Sequence, residues 1–224
     1  MLRETSRRET SAHRPATDAR DRGSAQKIAG VMFLLAGVVI LMGIITAETQ
    51  YPPDVGYTTT NNEISDLGAT RPPDSIITQP SATIFNTTMM ISGAMIVAGA
   101  FASRRRYPHR SAPYAALVFG IGVLGVGFFP GNTTMHVYFA MTTFVFGGLT
   151  CILASRITAS PFRYISAALG MTTLVFLFFA GAFMAALGDG GVERWVAYPV
   201  VLWLVAYGGY LLGTTTQKPV TASG

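Results

Sequence analysis

The stretch IAGVMFLLAGVVILMGIITA, residues 28–47, contains twenty consecutive residues without a charged side chain. Twenty residues of α-helix are about 30 Å long, which matches the hydrocarbon thickness of a bilayer. Apolar residues occur on all sides of this stretch and not along one stripe, which is typical of a helix inside a membrane. The stretch therefore predicts a membrane-spanning helix.

Five further apolar blocks of similar length follow it. Half of the 224 residues are hydrophobic and only 12% are charged, whereas about 25% are charged in a soluble domain. No block carries an acidic, basic or His side chain deep in its interior. We predict an all-α, polytopic integral membrane protein folded as one six-transmembrane-helix bundle. The predicted spans are 28–47, 84–102, 112–130, 135–155, 164–187 and 194–213.

The basic residues predict the orientation of these helices. Of the sixteen Lys and Arg, seven precede the first block and four lie between the second and third blocks. Arg156, Arg163 and Lys218 fall on the same side, and only Arg71 and Arg194 fall on the other. Fourteen against two follows the positive-inside rule, so both termini are predicted to be cytoplasmic. The net charge of +5 is thus explained by topology and by contact with anionic lipid, not by nucleic acid binding.

Polar segments bound the six-helix domain, which we place at 27–214. Residues 1–26 contain no apolar run and are rich in Arg, Ser and Thr, which predicts a disordered, basic cytoplasmic tail. Residues 215–224 form a second cytoplasmic tail, and 48–83 form the long extracytoplasmic loop. The single cysteine, Cys151, lies inside the fourth block and excludes an intrachain disulfide.

Small residues recur four apart on three of the blocks. Such faces permit close helix packing in lipid and suit a homo-oligomer. Apart from a second copy, the expected partners are membrane lipids. The small-residue faces are Ala94/Ala98/Ala102, Gly181/Ala185 and Gly209/Gly213.

The densest polar stretch of the long loop is NNEISDLGAT, residues 61–70. On the predicted topology, the strong polar side chains of this stretch lie on the outer side together with those at three helix ends. All of them fall within a turn or two of the interface. We predict one outward-facing, ligand-binding pocket roofed by the loop. Its predicted lining residues are Ser65, Asp66, Asn86, His136 and Glu193.

Each of these residues also has a purely structural interpretation. Ser65 and Asp66 would cap a short turn before Gly68. A Glu at a helix N-terminus, such as Glu193, is favoured by the helix dipole alone. His136 in a first helical turn is commonly an interfacial side chain. The prediction of a site therefore depends on the convergence of the five residues.

Three segments resemble a known group of membrane proteins. The group is the Frag1/DRAM/Sfk1 group of six-span proteins. Its first loop and second helix resemble NEISDLGATRPPDS (62–75) and IFNTTMMISG (84–93). Its fourth helix resembles NTTMHVYFAMTTFVFGG (132–148), and its last helix resembles VERWVAYPVVLWLVAY (192–207). At closer range the chain resembles an uncharacterised prokaryotic membrane family, domain of unknown function 998. The resemblance covers about 30–213 and implies a multipass protein of a prokaryotic cell membrane. It implies Asp66, Asn86, His136 and Glu193 as the matching positions.

Several chemistries are disfavoured by composition. A three-His zinc site is excluded within one chain, because His136 is the only His on the outer side, and no metal or other cofactor is expected. Ionisable residues at the midplane, which a proton pump needs, are absent. Three functions stay open: a non-enzymatic protein that binds a polar lipid headgroup or partner, a lipid-modifying transferase or hydrolase using His136 with Asp66 or Glu193, and a purely structural bundle.

Overall fold

The computed structural model describes residues 2–107 and 110–215, with side chains described for 21–105, 107 and 110–215. Over this part the protein is all-α, as predicted. Beside one 3-10 turn, Ile64–Leu67, it has the helices α1 (Leu2–Thr49), α2 (Ser81–Arg106), α3 (Ala112–Phe128), α4 (Thr134–Ala154), α5 (Phe162–Phe178) and α6 (Ala180–Thr215).

The helices have the character of membrane spans. Four of them contain segments that are long and apolar enough to cross a bilayer, judged by length and composition: Asp21–Thr49, Ser81–Arg105, Thr134–Ala154 and Ala180–Thr215. The other two, α3 and α5, are equally apolar in character but have 17 residues each. The chain is therefore a helical membrane protein, and all six predicted blocks fall in helices, although one of them is divided between two.

The N-terminal boundary differs from the predicted one. Helix α1 begins at Leu2, whereas the sequence predicts a disordered tail over 1–26. Arg, Glu and Ala make up nearly half of this segment and are good helix formers, but Pro15 and Gly23 are not, so composition accounts for the helix only in part. Its continuity with a stable apolar helix also removes the cost of nucleating a new one. Of the predicted tail 215–224, only Thr215 lies within the described residues.

The boundary between α5 and α6 is also different. The predicted span 164–187 is divided, because α5 ends at Phe178 and α6 begins at Ala180. The turn predicted near 188 is present as an interruption inside α6, where Gly188 has φ +70° and ψ 171°. Only glycine adopts such a conformation readily. Nothing in the local sequence marks the earlier break at Phe179.

The six helices form a closed ring in chain order, with α1 packed against both α2 and α6. Helices α4 and α6 meet directly over only a short stretch. Inside the bundle, near the end of α4 and the start of α5, Trp203 donates to Ser166 Oγ at 2.7 Å, and Ser166 donates to the Cys151 carbonyl at 2.7 Å. This chain of bonds joins α6, α5 and α4 at buried side chains and fixes one end of the bundle. The other end carries the long loop.

Candidate functional site

The loop between α1 and α2 is organised by the 3-10 turn at Ile64–Leu67. Asp66 Oδ2 accepts the Glu63 backbone N–H at 3.0 Å, and the two residues form a reciprocal capping box. The structural interpretation of Asp66 as a turn residue is therefore confirmed. The turn buries Ile64, Ser65 and Leu67, so the loop lies on the bundle and does not extend into solvent.

The interruption of α6 provides the first attachment point for this loop. Because Gly188 leaves the helical conformation, the amides just after it have no intrahelical partner. The Gly190 N–H donates to the Thr60 carbonyl at 3.0 Å. A Cβ on Gly190 would lie 2.1 Å from the Asn62 carbonyl oxygen, so only glycine allows this approach.

Glu193 provides the second attachment point. Its Oε2 accepts a short hydrogen bond from the Ile64 backbone N–H, at the start of the 3-10 turn. Glu193 stands in the first turn of the α6 segment that follows Gly188, so its position agrees with the predicted start of the last helix. One carboxylate thus joins the turn to α6.

Arg194 is the third and most extensive attachment point. Its Nη1 donates to the carbonyls of Thr59, Asn62 and Gly190 at 3.0, 3.0 and 2.9 Å. Its Nη2 donates to Glu48 Oε1 at 2.5 Å and to the Tyr57 hydroxyl at 2.8 Å. Only 12% of the Arg194 side chain is exposed. We call the contacts of Gly190, Glu193 and Arg194 with the loop the loop clamp.

His136 is buried in the first turn of α4, with 2% of its surface exposed. Its Nδ1 lies 2.7 Å from the carbonyl of Phe129, the residue that begins the turn between α3 and α4. A carbonyl can only accept, so Nδ1 carries the hydrogen and Nε2 of the neutral ring is an acceptor. Nε2 is buried without a partner among the described residues.

Two cavities meet at His136. The central cavity holds about 70 Å³ of space for the centre of a water molecule, enough for a few waters. Apolar side chains form most of its wall. They include Ile44, Phe85, Phe119, Val123, Phe144 and Val201.

The second cavity, the lateral groove, runs between the parts of α4 and α6 nearest the long loop and the end of α5. It holds about 160 Å³ by the same measure. Its charged end is formed by Glu63, Arg71 and Asp189, and its apolar walls by Val137, Met141, Phe144, Phe176, Leu177 and Met184. Three polar residues line both cavities: Ser65, His136 and Glu193.

Charge at the loop end of the groove is mainly acidic. Arg71 contacts both carboxylate oxygens of Glu63, at 2.8 and 2.7 Å, with 59% of the Arg71 side chain exposed. Burial raises the pKa of the Glu63 carboxyl, and Arg71 opposes this shift. Burial also raises the pKa of Asp66, while the Glu63 amide lowers it. Asp189 adds a third carboxylate and Glu193 a fourth.

A model of the family described as "Protein of unknown function (DUF998)" matches residues 20–210. The chain belongs to the DUF998 family. No curated protein and no solved structure matches the chain. The DUF998 match includes all three attachment points of the loop clamp and every residue at the meeting of the two cavities.

The structure brings together some of the sequence-predicted residues of this DUF998 protein. Ser65, His136 and Glu193 meet at both cavities, and Asp66 stands behind them in the capping box. Asn86 lines neither cavity. Its Oδ1 is buried without a partner among the described residues and lies against Gly68, where an added Cβ would come within 2.6 Å of it.

Sequence reasoning missed the role of Arg194, which it counted only among the basic residues on the outer side. Three of the five hydrogen bonds that Arg194 makes with the described residues go to backbone carbonyls, two of them in the loop, and such partners have no sequence signature. The available signal was the scarcity of basic residues on that side, since a lone Arg next to Glu193 at a helix start has to bond to something nearby.

Proposed function

We propose that this DUF998 protein binds the polar headgroup of a membrane lipid in an outward-facing pocket, as a six-span protein of a prokaryotic cell membrane with both termini cytoplasmic. The fourteen-to-two distribution of basic residues supports the orientation. A membrane-impermeant thiol reagent applied from outside should label a cysteine at Thr59 and not one at Ser111. The opposite labelling would overturn the topology.

The observation that carries the binding proposal is the buried Nε2 of His136. Leaving a buried polar atom without a partner costs about 1–3 kcal/mol, and native proteins rarely tolerate it. Here the atom belongs to a residue that lines two cavities, together with Ser65 and Glu193. A ligand that donates a hydrogen bond to Nε2 removes this cost.

The route to the site favours a lipid over a soluble ligand. The apolar wall of the lateral groove includes surface residues of α4 and α6. Val137 is 50% exposed, Met141 42% and Met184 45%. If these helices span the membrane, the groove opens sideways to the outer leaflet, so a chain lies along it while the headgroup reaches His136.

The test uses two substitutions at one position, measured by lipid retention in native mass spectrometry. An Asn side chain places its amide near the position of Nδ1, so His136→Asn retains the bond to Phe129 and removes the acceptor from the cavities. His136→Gln places an amide near Nε2 and retains that acceptor. We expect lipid loss with Asn and retention with Gln. Ile121→Ala, at an exposed residue lining neither cavity, should retain lipid.

Equal retention by all three variants would refute the proposal and favour a purely structural bundle. A second candidate function is lipid modification. The fixed tautomer of His136 favours it, because an unprotonated Nε2 on a residue that lines a cavity is also the atom that a general base needs. The likeness to the Frag1/DRAM/Sfk1 group is compatible with either function. The role predicted for Glu193 or Asp66 in this enzyme is to orient His136, although in the structure Nδ1 of His136 bonds to the Phe129 carbonyl. Lipid that still binds to His136→Gln but is no longer converted in reconstituted vesicles would establish the enzyme.

A further inference from the structure

We propose that the headgroup taken by this site carries a protonated primary amine next to a phosphate, as in an aminophospholipid. The inference rests on the proposed lipid binding and specifies the chemical class of the lipid. It is drawn from the hydrogen-bonding capacity that the protein leaves unused at the meeting of the two cavities.

The first step concerns the direction of hydrogen bonding. Nδ1 of His136 bonds to a carbonyl, and neither ring nitrogen bonds to a carboxylate of the described residues. A buried imidazolium without such a counter-ion is costly, so the ring is neutral and Nε2 accepts. A ligand group at this position has to donate. Phosphate diesters and carboxylates have no hydrogen to donate, so they do not fit here.

The second step concerns charge. Three acidic side chains line the groove, on Glu63, Asp189 and Glu193, and Asp66 stands behind them in the capping box. Arg71 is the one basic side chain among the described residues that line either cavity. Arg194 serves the loop clamp, bonded to Glu48. The field at the site therefore favours a cation. A primary ammonium supplies three donors and a positive charge together, so it matches both Nε2 and the Glu193 carboxylate.

The third step places the phosphate. Arg71 is exposed enough to take another partner while remaining near Glu63, and its guanidinium suits a phosphate oxygen. The lipid phosphate then lies at the open end of the groove, and the ammonium points inward to His136. Between His136 and Phe144 the groove follows about 12 Å of α4, where Val137 and Met141 offer apolar contact for an acyl chain.

The experiment compares three lipids with the same dioleoyl chains in nanodiscs containing the full chain. Phosphatidylethanolamine has N–H donors, phosphatidylcholine has the same charge without N–H donors, and phosphatidylglycerol is anionic. Displacement of a fluorescent phosphatidylethanolamine is the readout. We expect phosphatidylethanolamine to compete about tenfold or more better than phosphatidylcholine, since a hydrogen bond to a charged group is worth that much. Phosphatidylglycerol should compete least.

Two variants assign the preference to its atoms. His136→Asn should abolish the preference for the ethanolamine lipid over the choline lipid. Arg71→Gln should weaken the binding of both lipids by a similar factor, because both carry the phosphate. Ile121→Ala should change neither. Glycerophosphoethanolamine, the same headgroup without chains, should compete at least about tenfold more weakly, since it leaves the apolar groove empty.

The possible failures are distinguishable. Equal competition by the ethanolamine and choline lipids, still sensitive to His136→Asn, would refute the amine inference and leave lipid binding standing. Best competition by phosphatidylglycerol would likewise overturn the amine inference alone. Full competition by glycerophosphoethanolamine would indicate that the site binds a soluble ligand and not a lipid. Fluorescent lipid that binds the wild type and His136→Asn equally would refute the proposed function itself.

Discussion

Replacement of Arg194 by Met tests whether the loop clamp holds the roof of the site. Met retains most of the apolar stem and removes every donor. The change leaves the Glu48 carboxylate, 22% exposed, without its cation and deprives two loop carbonyls of a partner. Breaking a largely buried ion pair from one side costs about 3–5 kcal/mol, and the lost carbonyl bonds belong to the same cost.

The chain offers a matched control in the same loop. Arg71 also pairs with a glutamate, Glu63, but its side chain is 59% exposed. An exposed pair contributes about 0–1 kcal/mol, so Arg71→Met should have little effect on loop docking. Arg194→Lys should fall between the two, because Lys keeps the charge but not the planar set of donors.

The assay follows the accessibility of a thiol at position 65. Ser65 is 7% exposed, so a Ser65→Cys thiol reacts with a maleimide only when the turn opens. The native Cys151 is fully buried and does not interfere. If opening is in rapid equilibrium, a loss of about 3 kcal/mol raises the labelling rate by more than about 100-fold. Labelling of the Arg194→Met and Arg71→Met proteins within about threefold of each other, or about 0.65 kcal/mol, would refute the clamp.

Two further predictions concern the same loop. Burial raises the pKa of Glu63 and of Asp66 above their ordinary values of 4.5 and 3.8, so the docked loop binds protons more readily than the open loop. Docking should therefore be most stable below about pH 4 and weaken as pH rises through the two folded-state pKa values. Hydrogen exchange at amides 62–68 gives the free energy of loop opening, which should fall as pH rises. The dependence on pH should be weaker in Glu63→Gln. A loop that docks more stably as pH rises would contradict the prediction. Gly190→Ala should weaken docking of the loop by about 1–3 kcal/mol, because the added Cβ overlaps with the loop carbonyl. Gly181→Ala should not weaken it, since no atom lies within 4 Å of the added Cβ. Equal thiol labelling of the two variants would show that the close approach at Gly190 is unimportant.

The helical positions were largely predictable from the sequence, because apolar blocks of membrane length have few alternative structures. The first and last residues of the helices were less predictable. The α5–α6 boundary is set by a break at Phe179 that has no local signal, and by Gly188, whose neighbours Asp189, Gly190 and Gly191 made a turn visible. The start of α1 at Leu2 differs from the predicted tail because a polar segment of helix formers continues an adjacent helix.

The site was predictable as far as topology alone could bring residues together. Ser65, His136 and Glu193 lie at the end of the bundle that carries the long loop and meet there. Asn86 has the same depth but lies against Gly68 and lines neither cavity, since depth in the membrane does not fix the direction of a side chain. Arg194 escaped prediction because its partners, which include two loop carbonyls, the Tyr57 hydroxyl and Glu48, come together only in the folded structure.

The small-residue faces show a similar limit on what spacing in the sequence can predict about helix packing. At Gly181 and Gly209 an added Cβ would meet no atom of the described residues within 4 Å, so these two glycines are not at close helix contacts within the bundle. Close helix approaches occur instead at other glycines, such as Gly93 of α2 against α3. Spacing identifies a face that permits packing, but which glycine a neighbour contacts depends on the ring order of the helices. A homo-oligomer through the open faces stays a prediction.

The most direct test of lipid binding in the pocket is to photo-crosslink a phosphatidylethanolamine carrying a diazirine in its acyl chain and to map the modified residues. Binding in the lateral groove predicts adducts concentrated at 137–144 and 176–196, and their loss in His136→Asn with retention in His136→Gln. Adducts spread evenly over the exposed apolar residues of the helices, including Tyr114 and Ile121 of α3, and equal in both variants, would contradict it.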